Sequence, residues 1–84
     1  MLRKRPDWSR PLPQPLSIPT IMTLRTLADV RELLRHVPLE KRRLDTWQRV
    51  AHWLDVAAHG GKVEDVSVCL RLVLSLEGVP CHPL

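Results

Sequence analysis

The sequence predicts an all-α protein: a small three-helix domain behind an extended, proline-rich N-terminal arm. Apolar residues recur at helical spacing in three stretches of the chain. Pro38, Gly60-Gly61 and Gly78 fall where those stretches end. Prolines at 6, 11, 13, 15 and 19 crowd the chain before the first of them. With 84 residues in all, there is room for one domain. The expected division is an arm over residues 1–19, a helical domain over 20–79 and a loose tail over 80–84.

In the arm, proline fixes φ, removes backbone donors and pushes the preceding residue to an extended conformation. Leu12, Leu16 and Ile18 stand at even positions, so an extended strip lays them on one surface, either the body of the domain or a neighbouring chain. Residues 20–24 read as a short extended lead-in. The first helix is expected over about 26–37: Thr26 caps it, Asp29 suits its positive start, and Leu27, Val30, Leu33 and Leu34 share a face. The second is expected over about 39–59, with Leu44, Trp47, Val50, Ala51, Leu54, Ala57 and Ala58 on its apolar side and Gly60-Gly61 as its stop.

Residues 63–77 fit two periods. With period two, Val66, Val68, Leu70, Leu72, Leu74 and Leu76 form one apolar side of a strand. With period 3.6, Glu64, Ser67, Arg71 and Ser75 form one narrow polar stripe on a helix. The length of the run, its leucine content and the lack of partner strands select the helix.

That helix is apolar over most of its circumference, and two other helices cannot easily wrap it. Either the arm folds back over it in a monomeric core, or a second copy of the chain covers it; the second copy is the favoured cover, with Val66, Leu70, Leu72, Val73 and Leu76 at the interface. Trp53 lies off the main apolar stripe and marks a second candidate contact. The expected function is therefore that of a small non-enzymatic accessory or interaction protein, acting as a homodimer or on an unidentified protein partner.

Charge raises an alternative. The net charge is +4, unevenly spread. Residues 1–10 carry Arg3, Lys4, Arg5 and Arg10 against Asp7, while Lys41, Arg42, Arg43 and Arg49 dominate residues 35–49. Nucleic acid is thus the competing partner, held by Lys41, Arg42, Arg43, Arg49 and the basic tail. Against it, the last helix is the most apolar, where a helix-turn-helix needs a polar reader.

No catalytic or cofactor constellation is present. His52 and His59 are two helical turns apart, no Cys-x-x-Cys or His-x-x-x-His spacing occurs, and Glu64 and Asp65 point to different faces. No cofactor or metal is expected, and a Cys81 nucleophile would need His36, His52 or His59 held beside it, for which a loose tail is a poor place. The two cysteines and the lack of a membrane span or secretory signal suggest free thiols in the cytoplasm.

The runs Leu24–Leu34 (LRTLADVRELL), Thr46-Trp47-Gln48 and Leu70–Gly78 (LRLVLSLEG), with Trp8-Ser-Arg-Pro-Leu-Pro before them, resemble a group of short uncharacterised bacterial proteins. The resemblance spans most of the chain. It implies a bacterial cytoplasmic origin and helices rather than strands, and it carries over no functional residue.

Overall fold

Between Pro11 and Pro19, residues 16–18 are the one stretch that offers three successive backbone donors, and there the chain pairs as sheet. The computed structural model describes residues 5–19 and 21–83. Its elements are β1 (Pro11–Ile18), β2 (Met22–Thr26), α1 (Leu27–His36), α2 (Leu39–Arg42), α3 (Asp45–Ala58), α4 (Val63–Leu76) and β3 (His82–Pro83). The three strands form an antiparallel sheet in the order β2-β1-β3. The protein is therefore mixed α/β, and the all-α, helical-bundle expectation is wrong.

The register shows how the prolines are accommodated. Leu16, Ser17 and Ile18 pair with Leu24, Thr23 and Met22, and Pro11 pairs with Thr26. Between those points, residues 12–15 of β1 stand opposite Arg25 alone. The irregularity falls on Pro13 and Pro15, which have no N–H to give. The expected loose tail joins the other edge, with Leu16 opposite Pro83 and Ser17 opposite His82. Leu12, Leu16 and Ile18 all turn inward and are buried in the chain's own core.

Helix α1 starts as its sequence suggests. Asp29 Oδ2 accepts from the backbone N–H groups of Arg25, at 2.8 Å, and Thr26, at 3.2 Å. The expected second helix is two. Leu44 adopts an extended conformation (φ −67°, ψ 142°), which ends α2 and its cap and starts α3 afresh at Asp45. Helix α3 closes at Gly60 and Gly61. Gly60 has φ 104°, and a Cβ on Gly61 would stand 2.8 Å from the Val56 carbonyl oxygen, so the turn needs both glycines.

Helix α4 packs against α3 and β1, while α1 packs against α3 and β2. The core lies between the sheet and these helices. Leu16, Leu24, Leu27, Val30, Val50, Val66 and Leu70 are its most completely buried members.

Residues 7–10 tie two helix ends together. The free N–H groups at the start of α1 donate back to this segment: Leu27 to the Arg10 carbonyl at 3.0 Å and Ala28 to the Trp8 carbonyl at 2.8 Å. At the end of α3, the Asp7 N–H donates to the Ala58 carbonyl at 2.7 Å. The Arg10 guanidinium donates to the carbonyls of Ala57, at 2.5 Å, and Gly61, at 2.6 Å. Groups that a helix end leaves unsatisfied are thus satisfied by one short segment. Arg31 stacks its guanidinium over the Trp8 ring, 4.6 Å from the centroid.

Candidate functional site

The candidate surface follows from the phase of α4. Positions 63, 66, 70, 73 and 74 face the core, and Val66, Leu70, Val73 and Leu74 are no more than 3% exposed. Positions 68, 72 and 76 follow one another at four-residue spacing and share the opposite face. Val68, Leu72 and Leu76 are 66%, 58% and 68% exposed. Beside this ridge runs a shallow groove of ≈ 600 Å³, lined among others by Leu16, Val68, Leu72, Val79 and Pro83. Its far wall is the C-terminal segment carrying β3, whose Pro80 and Pro83 offer no N–H to an incoming strand.

The sequence-derived candidates fall into separate places. Val66, Leu70 and Val73 are core residues of the monomer, whereas Leu72 and Leu76 lie outside. Trp53 is half-buried against the core and meets the His52 ring edge-on at 5.1 Å between centroids. Of the basic group, Lys41 is committed to Glu77 at 2.8 Å. Arg42, Arg43 and Arg49 are exposed, and among the described residues none has an acidic partner within 4.0 Å. Trp47 is buried, so it offers no face for base stacking. In the basic tail, Arg3 and Lys4 lie outside the described residues, Arg5 is exposed, and Arg10 is spent on helix ends.

Glu77 was not visible as a site residue from sequence. It stands directly after α4 and joins three helices: its Oε2 accepts from Lys41 Nζ of α2, and its Oε1 accepts from the indole Nε1–H of Trp47 of α3 at 3.1 Å. These two hydrogen bonds, the Lys41 ammonium first, hold its carboxyl below the ordinary glutamate range. The partners are 36 and 30 residues away, so no local spacing reveals them. Next to this cluster lies a pocket of ≈ 270 Å³. Ile18, Leu33, Val37 and Leu74 give it buried apolar walls. Lys41, Glu77, Trp47 and His36 line it too, the first three joined by the hydrogen bonds above, as does Ile21, itself 60% exposed.

Reactive chemistry is sparse. Cys69 and Cys81 are free and half-buried. Among the described residues, no group of three or more His, Cys, Asp or Glu side chains is placed to hold a metal ion. No helix among them is long and apolar enough to cross a membrane. Compared with protein-family models, with curated proteins and with solved structures, the chain gives no significant match.

Proposed function

We propose that this protein is a small, non-enzymatic interaction module of the cytoplasm that pairs with a second copy of itself through the outward face of α4. The observation that carries the reading is the row Val68, Leu72 and Leu76, three large apolar side chains standing in solvent on one helix face. A second copy fits this surface on physical grounds. An isologous interface needs one patch that is complementary to itself. Here a ridge adjoins a mostly apolar groove, which Arg71 and Ser75 also line, so each copy can seat ridge residues in the groove of the other. The proline-bearing edge at β3 directs the pairing through side chains rather than through an added strand.

Size-exclusion chromatography with light scattering tests this. The wild-type chain should give a mass near twice 9.7 kDa, and Leu72→Glu should return it to one chain. A monomeric wild type at high concentration, or a dimer untouched by Leu72→Glu, would overturn the reading. A 260 nm signal that falls with added salt would instead favour nucleic acid held by Arg42, Arg43 and Arg49.

A further inference from the structure

The pocket beside Glu77 is independent of the α4 ridge and has a chemistry of its own. Its walls are mostly aliphatic, and three of its polar lining residues, Lys41, Trp47 and Glu77, are hydrogen-bonded to one another. Small-molecule sites have this form: mostly apolar, with few convergent polar groups. At ≈ 270 Å³ it is a small site; an engineered cavity of about 150 Å³ accepts benzene. One ring with a short chain therefore fills it.

The charge around it selects the head group. Lys41 carries three N–H donors and spends one on Glu77. The Glu77 carboxylate is already matched by Lys41 and Trp47, so it makes little demand on a ligand. Residues 35–49, which supply His36 and Lys41, carry five Lys or Arg side chains against Glu40 and Asp45. Arg42 and Arg43 follow Lys41 directly and have no acidic partner among the described residues. That field favours an anion.

We propose that this pocket binds a small amphipathic monocarboxylate, with its aromatic or short aliphatic body against Ile18, Leu33, Val37 and Leu74 and its carboxylate on Lys41. The charge-assisted hydrogen bond to Lys41 gives orientation, and the walls exclude water from the body.

Titration of the isotope-labelled wild-type chain with 3-phenylpropionate, followed by NMR, tests it. The Trp47 indole N–H resonance should move saturably, while the backbone amide of Leu72 on the ridge stays still. The neutral isostere 3-phenylpropan-1-ol should bind about tenfold more weakly. Ile21→Asp sets a negative charge at the pocket on an exposed residue, so the fold is kept, and it should weaken the carboxylate by a similar factor. No saturable shift at millimolar probe, equal binding of the alcohol, or shifts that map away from the pocket would each overturn the proposal. The ridge reading stands or falls separately, on the oligomeric mass.

Discussion

The two faces of α4 are built from the same residue types and meet opposite fates. Leu70 is fully buried and Leu72, two residues on, is 58% exposed. Valine behaves alike: Val66 is fully buried and Val68 is 66% exposed. Composition does not separate these residues; helical phase does. A helix at 3.6 residues per turn shows the core one stripe, and any apolar residue outside that stripe stays in water unless another body arrives. The inner face of α4 therefore serves the stability of the monomer, and the outer face is free to serve assembly.

Truncation separates these roles most sharply. Leu70→Ala should cost about 2–5 kcal/mol of unfolding free energy, because it opens a cavity in a packed interior. Leu72→Ala should stay within about 0.5 kcal/mol in dilute solution, as an exposed side chain has little to lose. Urea unfolding of both variants measures this. Equal losses would erase the distinction between the faces.

Arg10→Ala comes next. It removes a guanidinium shared by the Ala57 and Gly61 carbonyls, and a charge-assisted hydrogen bond of this kind is worth about 1.5–3 kcal/mol. Arg10→Lys should recover only part, since an ammonium is a point donor without the planar fork. Hydrogen exchange should show the loss at the C-terminal turn of α3 rather than along α4.

The smallest effect concerns acid. The folded-state pKa of Glu77 is depressed by Lys41 and Trp47. Its contribution is therefore present above the ordinary glutamate pKa of about 4.3 and is lost as pH falls through the lower folded value. Asp7, lowered chiefly by the Ser9 hydroxyl and then by the Ser9 amide, adds in the same direction. Glu77→Gln should flatten the stability profile below about pH 4.3 and leave its shape near neutrality unchanged. Thermal melts across that range check it, and a wild-type profile that rises on acidification would contradict the assignment.

Much of the helical structure is legible in the sequence because its signals are local. Thr26 and Asp29 mark the start of α1, Pro38 its end, and Gly60-Gly61 the stop of α3. Leucine content and length separate α4 from a strand. The break at Leu44 has no such signal, since neither glycine nor proline interrupts residues 39–59. Asp45-Thr46 is the sole hint, as a pair that can cap a new helix start. The sheet is hidden for a different reason. Prolines 11, 13 and 15 argue against a strand, and apart from Pro11 opposite Thr26 the pairing that forms uses residues beyond them. Its second partner, His82–Pro83, is only two residues long and comes from the far end of the chain. The pocket is hidden likewise, because Lys41, Trp47 and Glu77 meet only through tertiary folding.

Cysteine cross-linking tests the central claim about α4 most directly. In a chain with Cys69 and Cys81 replaced by serine, single cysteines go in at Val68, Leu72, Leu76 and, as a control, Arg49. A disulfide requires Cα atoms within about 7 Å, so a bond between copies reports the interface itself. Mild oxidation at low protein concentration should link copies through at least one ridge position and leave Arg49→Cys as single chains. If no ridge cysteine links faster than Arg49→Cys, α4 is not where two copies meet.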